Sequence, residues 1–419
     1  MLGRWRGGGG RGGPRSGLSR RRPDLALPLT GQNLRGEARP EFRGIAVPIV
    51  ATPVPGGAYA RMTLAGQAPA VGSRRKRSEC RIEPTSADIP GSELPEEFLE
   101  RLRRILPEAL YAGCARTFYQ ASTTVFRVNP LRADTGRLAD ELRAAGFDLT
   151  ALSWPEGFSV AAEQRRALTD CPACREGRLY IQNPASMVPA LVLDPRPGER
   201  ILDLCAAPGG KTLQLAGLMG NQGQISAVES VRPRFFRLRA NLETHGATNV
   251  RTYLKDGRGV WRNCPEEFDR VLLDAPCSAE GRFNVAEPAS HAYWSVRKIR
   301  EMQRKQQRLL HSAAQCLRPG GVLVYATCTF APEENEVVLN GLLRKLGGGF
   351  RIDEIELPVD RVQEGLTSWR GKELDPELSK AVRILPDGVM EGFFVCRLTK
   401  LASTLSSSPA DETRSEAGR

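Results

Sequence analysis

Between Gln182 and Lys400 six apolar runs, ERILDLC, GQISAVE, VRTYLK, FDRVLLDA, GGVLVYATC and EGFFVCRL, recur with helix-length segments between them. Strands joined by segments long enough for a crossover helix pair in parallel, and such a sheet is covered by helices on both faces. The pattern predicts an α/β domain over 179–400 built on an open, mostly parallel sheet. In such a sheet a ligand sits outside the carboxyl ends of the strands. Upstream, LPEEFLERLRRILPEALY places Phe98, Leu102, Ile105 and Leu106 at helical spacing. Thr124–Val128 has strand character, and RLADELRAAGF reads as an amphipathic helix closed by Gly146. Together these predict a small α+β module over 91–178.

The first ninety residues behave differently. They are rich in Gly, Arg and Pro and lack either periodicity, which predicts disorder over 1–90; the small, polar residues 401–419 predict a loose tail. Of the net charge of +12, most resides in this first segment, where sixteen Lys and Arg face six Asp and Glu. With no acid before Asp24, the segment fits an organelle-targeting peptide or an Arg/Gly arm for RNA; Met62 is an alternative start. Nothing approaches eighteen consecutive apolar residues, which excludes a transmembrane helix. Ten cysteines without a regular framework point to reduced thiols and a cytoplasmic setting. The lone Cys171/Cys174 pair lacks the further ligands a zinc site needs and reads as a turn around Pro172, so no metal is expected.

Chemistry concentrates at the strand ends. ILDLCAAPGGKT, Ile201–Thr212, is a strand running into a small-residue loop and a helix. Gly209 and Gly210 let backbone approach a ligand, the helix start offers free N–H groups, and Lys211 adds a cation. The spacing matches neither a P-loop nor a dinucleotide fingerprint. Glu229, Asp256 and Asp274 each close one of the next apolar runs. An acid at the second strand end suits a pair of ribose hydroxyls, which assigns Glu229; Asp256 would then meet the adenine amino group.

Two cysteines also leave strand-like runs, Cys277 in VLLDAPCSAEG and Cys328 in VLVYATCTFAPEENE. A thiol at a tight strand exit beside an acid is exposed and oriented rather than packed. Such a pair suits covalent catalysis at an unreactive ring carbon such as C5 of cytosine. Addition of a thiolate at C6 raises electron density at C5, and a second group then assists proton removal and release.

These motifs resemble the Sun-type (Fmu/Nop-like) RNA 5-methylcytosine methyltransferases. The likeness covers roughly residues 94–400, most strongly DLCAAPGGKT, DAPCSAEG and YATCTFAPEENE, with YIQNPAS and EGFFVCRL in support. It implies a Rossmann-like S-adenosylmethionine-dependent methyltransferase fold with a small N-terminal α+β domain, S-adenosyl-L-methionine as methyl donor and RNA as partner. It implies Cys328 as nucleophile and Cys277 as the group assisting release. It also places the cofactor on Cys205, Ala206, Ala207, Pro208, Gly209, Gly210 and Lys211 with Glu229, Asp256 and Asp274, and sets Asp274 and Lys211 near the target base. Ribosomal RNA of the small subunit is favoured over transfer RNA. The chain departs from the family's usual Cys-Ser-Gly at Ala279, and from its following Lys and Asp-Pro over Phe283–Pro288.

After these motifs, SVRKIREMQRKQQRLLHSAAQCL predicts a helix with Ile299, Met302, Leu309, Leu310, Ala313 and Leu317 on the sheet. Arg297, Lys298, Arg300, Arg304, Lys305 and Arg308 would face solvent or phosphates. The small module would position RNA or be a structural appendage. A small-molecule methyltransferase would have no need of paired Pro-Cys and Thr-Cys. A catalytically silent RNA-binding assembly factor would share the fold and is separated by labelled methyl transfer.

Overall fold

The computed structural model describes residues 94–121 and 123–405. The Gly/Arg/Pro-rich segment 1–90 and most of the C-terminal tail lie outside the described residues. Two helices open the described chain, α1 (Glu96–Ile105) and α2 (Glu108–Thr117). The two are separated at Pro107, whose ring leaves no backbone N–H to continue α1. The apolar face of the pair, with Phe98, Leu102 and Phe118, packs on Phe283, Phe330 and Leu385 of the distant sheet domain.

A four-stranded sheet follows. It is built from β1 (Thr124–Val128), α3 (Thr135–Ala144), β2 (Thr150–Ala151), β3 (Phe158–Val160), the short helices α4 (Arg165–Asp170) and α5 (Pro172–Arg175), and β4 (Leu179–Ile181). Its order is β2-β3-β1-β4, and it has its own core around Phe126, Leu138, Leu142, Phe158 and Leu168. Asp134 caps α3 by accepting from the Arg137 N–H, and Gly146 ends it in the left-handed region. Cys171 and Cys174 flank Pro172 at the start of α5 and pack against this core.

The large domain runs α6 (Pro184–Leu193), β5 (Arg200–Asp203), α7 (Gly210–Leu218), β6 (Gln224–Glu229), α8 (Arg232–Thr244), β7 (Val250–Leu254), β8 (Phe268–Asp274), α9 (Val296–Cys316), β9 (Leu317–Thr327) and α10 (Glu336–Leu346). It closes with β10 (Phe350–Asp353), β11 (Val362–Glu364), the small hairpin β12 (Ser368–Trp369) and β13 (Lys372–Glu373), then β14 (Val382–Ile384) and β15 (Phe393–Lys400). The sheet order is β11-β14-β15-β9-β8-β5-β6-β7, with β10 on β15. Strands β7, β6, β5, β8 and β9 are parallel, and the remaining four join antiparallel. All six predicted strands are present. The chain moves outward from β5 through β6 to β7 and then returns to the other side of β5 as β8, which creates the topological switch point where such sheets open a crevice.

Period-two alternation divides the strand residues between two cores. Leu202, Val271, Leu273, Leu323, Tyr325 and Phe394 face α9 and α10, whereas Ile201, Leu272, Val324, Ala326 and Val395 face α6 and α7. Helix α9 buries Ile299, Met302, Leu309, Leu310 and Ala313 as its periodicity requires. Leu317, expected as part of that helix, instead opens β9, because the helix ends at Cys316 and the chain pairs at once with Phe268. Among the described residues no helix is long and apolar enough to cross a membrane.

Candidate active site

The carboxyl ends of β5, β6, β8 and β9 converge on a cleft of about 520 Å³. Of the residues singled out in the sequence, Cys205, Ala206, Ala207, Pro208, Gly210, Lys211, Glu229, Asp256, Asp274, Cys277 and Cys328 all line it. Gly209 stands behind the wall. It holds φ +114° at the start of α7, and a Cβ there would come within 3.1 Å of Leu238. At Gly210 a Cβ would meet the Tyr180 ring at 2.8 Å. These two positions need glycine for conformation and for room.

Lys211, in the first turn of α7, is buried and donates to Asp274 Oδ2 and to Ser186 Oγ, each at 2.7 Å. Its ammonium also lies 5.3 Å from the Phe393 ring centre. The pair thus joins the glycine loop to the end of β8, shortly before Cys277. Glu229 is almost fully buried, accepts the Val231 N–H at 2.8 Å and lies 3.3 Å from Arg234. Arg234 in turn donates to the Ala207 carbonyl at 2.5 Å, tying α8 to the loop. Asp256 caps the turn Gly257–Arg262, and hydrogen bonds from Arg258 hold its carboxyl below the usual carboxylate range.

One acid of the cleft was not among those candidates. Asp203, at the end of β5, is buried, accepts from Thr212 Oγ1 at 2.7 Å, and is pushed up to about 6 by burial. Its signal in the sequence is the acid that closes the apolar run ILD. The cleft also gathers Arg165, Tyr180, Arg282 and Glu391 from four separated segments, with Arg282 3.4 Å from Glu391.

The structure brings the two cysteines together. Cys277 leaves β8, Cys328 leaves β9, and their sulfurs lie 3.3 Å apart. The Cys328 hydrogen bond, followed by burial, raises the Cys277 thiol well above its ordinary value. Burial likewise raises the Cys205 thiol.

Two buried carboxyl groups clip the cysteine loops to one another. Glu334, from the Cys328 side, accepts the Ser278 N–H at 3.0 Å and Gln306 Nε2 of α9 at 2.8 Å. Glu280, from the Cys277 side, accepts Thr329 Oγ1 at 2.9 Å, the Phe330 N–H at 3.1 Å and Trp294 Nε1 at 2.8 Å. Ser278 and Thr329 hydroxyls meet at 2.7 Å, and the Gly281 N–H donates to the Cys328 carbonyl at 3.0 Å. Backbone approach at Gly281 is so close that a Cβ would fall 2.0 Å from the Gly392 carbonyl oxygen. Burial raises both carboxyls, Glu334 to about 8. Behind them, Glu336 and Arg383 form a fully buried pair, and Arg383 also donates to the Phe330 carbonyl.

The departures from the usual family pattern also have structural form. Ala279 takes φ +60°, a left-handed conformation suited to the family's glycine. Asn284 is buried and anchors its loop through the Gln120 carbonyl and the Ala286 N–H, so this position presents no cation. Along α9, Lys305 lines the cleft, and Arg297, Arg300, Arg304 and Arg308 are exposed.

The donor set fits S-adenosyl-L-methionine. A crevice at the switch point, a buried strand-end carboxylate at Glu229, and a glycine loop with no room for a Cβ are the features that would accept a ribose and a close backbone approach.

Comparison with known proteins agrees with this architecture. The sequence model of the family described as 16S rRNA methyltransferase RsmB/F matches residues 190–399. The chain is 37% identical over 324 residues to the ribosomal RNA small subunit methyltransferase F of Vibrio vulnificus, covering 75% of this chain and 65% of that protein. It is 40% identical over 285 residues to the tRNA (cytosine(49)-C(5))-methyltransferase of Pyrococcus abyssi, covering 67% and 89% respectively. The chain thus spans about two thirds of the length of its bacterial relatives and most of the archaeal one. Among solved structures, a methyltransferase homolog protein from Pyrococcus horikoshii aligns with TM-score 0.61 at 32% identity, over 74% of this chain and all of that one. NSun6 from the same organism, solved with SFG, aligns with TM-score 0.62 at 22% identity, over 73% and 98%, and supports the Rossmann-like methyltransferase fold.

Proposed function

The chain belongs to the RsmB/F methyltransferase family, and on that footing we propose that it transfers a methyl group from S-adenosyl-L-methionine to C5 of a cytosine in RNA. The observation that carries this reading is the meeting of two thiols, 3.3 Å apart, at the end of a cleft whose other wall is the cofactor loop.

In the proposed reaction the Cys328 thiolate adds to C6 of the cytosine, forming an S–C6 bond and leaving C5 nucleophilic. The cofactor supplies an electrophilic methyl group at its sulfonium. Once C5 has taken the methyl, a base removes the C5 proton, the C5–C6 double bond returns, and the S–C6 bond breaks. Cys277, whose raised thiol lies 3.3 Å from the Cys328 sulfur, would return a proton to that sulfur as it departs. Lys211 and Asp274 stand at the junction of the cofactor loop and the cysteine loop, where they would hold the target base at its polar edge. The four-stranded module borders the same cleft through Val125, Tyr180 and Ile181, a placement that supports a role in positioning RNA.

The RNA is proposed to be ribosomal RNA of the small subunit, from the family's description and the bacterial relatives. Transfer RNA is the second reading, favoured by the archaeal relative at 40% identity. Mapping methylated cytosines in RNA from cells with and without the gene distinguishes them.

The mechanism is tested with both cysteine variants, labelled RNA and S-adenosylmethionine. Cys328→Ala should abolish methyl transfer while retaining cofactor binding, and form no adduct. Cys277→Ala should accumulate a covalent protein–RNA complex that survives heating in detergent and disappears with nuclease. The opposite pattern would reverse the roles, and full activity without a trap in either variant would remove the covalent mechanism. Absence of methyl transfer by the wild type to any RNA would favour the assembly-factor reading.

A further inference from the structure

A second concavity, of about 800 Å³, lies between the turn Gly257–Arg262 and helices α9 and α10, and it shares Asp256 with the cofactor cleft. The rings of Trp261 and His311 line it, edge to face at 5.7 Å. Arg262, Arg308 and Lys345 form an exposed cationic rim, with the Arg262 guanidinium 5.0 Å from the Trp261 ring centre. Among the described residues none of these three cations has a carboxylate within ion-pair distance, and the one acid of the lining, Asp256, is already bound by Arg258. His311 Nδ1 is buried and has no hydrogen-bond partner.

Unpaired cations, flat rings and an unsatisfied ring nitrogen in one concavity match the three parts of a nucleotide. Phosphates would take the cations, a base would stack on the aromatic surface, and a ribose hydroxyl, both donor and acceptor, suits either tautomer of His311. Burial and Lys345 lower the His311 ring, so it is neutral and able to pair in either sense. Helix α9 joins the two sites. Lys305 lines the cleft, and Arg308, one turn further along, lines the groove.

We propose that this groove is an RNA-binding surface that holds a single-stranded stretch of the substrate beyond the target cytosine, with phosphates on Arg262, Arg308 and Lys345 and a base on Trp261. The proposal rests on the reading of the chain as an RNA methyltransferase. It adds a binding surface on the α9/α10 face of the sheet, outside the cofactor cleft.

The test is fluorescence anisotropy with a labelled oligouridylate of about twenty nucleotides, long enough to occupy more than one site. Wild type is compared with the full-length double variant Arg262→Glu/Lys345→Glu, with calorimetric S-adenosylmethionine affinity as the control for fold and cleft. Both substituted side chains are exposed. The variant should bind RNA at least about tenfold more weakly, and its slope of log affinity against log salt should be shallower by about 1.4, the release expected for two single-strand phosphate contacts. Unchanged RNA affinity and slope with intact cofactor binding would overturn the groove while leaving the RNA reading in place. Failure of the wild type to bind RNA would remove both. Loss of polyglutamate binding in the variant, with RNA binding unchanged, would assign the groove to an acidic protein and overturn the proposal. If the double variant loses cofactor binding, the single variant Arg308→Glu is read by the same slope, with a reduction of about 0.7 expected and no reduction refuting the groove.

Discussion

Replacing Glu334 by glutamine tests whether the carboxyl that clips the two cysteine loops is neutral in the folded protein. Glu334 is fully buried, its Oε2 receives both the Ser278 N–H and Gln306 Nε2, and burial raises it to about 8. In the unfolded chain a glutamate titrates near about 4.3. A carboxyl raised on folding binds its proton more tightly in the native state. Its contribution is therefore fully present below about pH 4.3 and is lost as pH rises through about 8. At about 1.4 kcal/mol for each pH unit, the whole window amounts to an upper figure of about 5 kcal/mol. Glu334→Gln keeps one oxygen for the two donors and has no proton to lose, so it lacks this slope. Urea unfolding in reducing buffer from about pH 5 to about pH 8.5 should show the variant gaining on the wild type by more than about 2 kcal/mol as pH rises. Glu334→Ala leaves both donors unpaired in a dry interior and should cost about 2–6 kcal/mol, from about 1–3 for each. A wild-type-to-glutamine difference that stays constant with pH would refute the neutral carboxyl. An alanine variant as stable as the glutamine variant would refute the clip itself.

Two further outcomes follow from the cleft and its loops. Glu229→Ala should weaken S-adenosylmethionine binding by about 1–3 kcal/mol, roughly 5- to 150-fold, and an unchanged calorimetric affinity in the folded variant would refute the placement of the ribose at the end of β6. Ala279→Gly should remove a left-handed alanine and stabilise by up to about 1 kcal/mol, the strain of about 1–2 offset by the extra freedom of glycine in the unfolded chain. A loss of stability in urea unfolding would contradict the strain.

What the sequence alone determined was local in origin. Six apolar runs with helix-length spacing identified the strands, because alternate residues of each must fill cores on opposite faces of the sheet, as Leu272 and Leu273 do. Glycines and acids immediately after those runs marked the cleft, because a parallel sheet places its strand ends on one edge. The tertiary structure alone decided which distant groups meet there. Ser278 and Glu334 are 56 residues apart, and Glu280 and Thr329 are 49 apart, so no periodicity marked the clip that holds the thiols together. Nor did it mark that α1 and α2 pack against Phe283 and Phe330, or that β10, β11 and β14 extend the sheet antiparallel. Strands of three or four residues carry too few alternations to register as a pattern, and Pro107 interrupts a helical spacing that continues across it. A buried carboxylate such as Asp203 or Glu334 has the same letter as an exposed one; desolvation by its neighbours changes its chemistry, and those neighbours are assembled only by the fold.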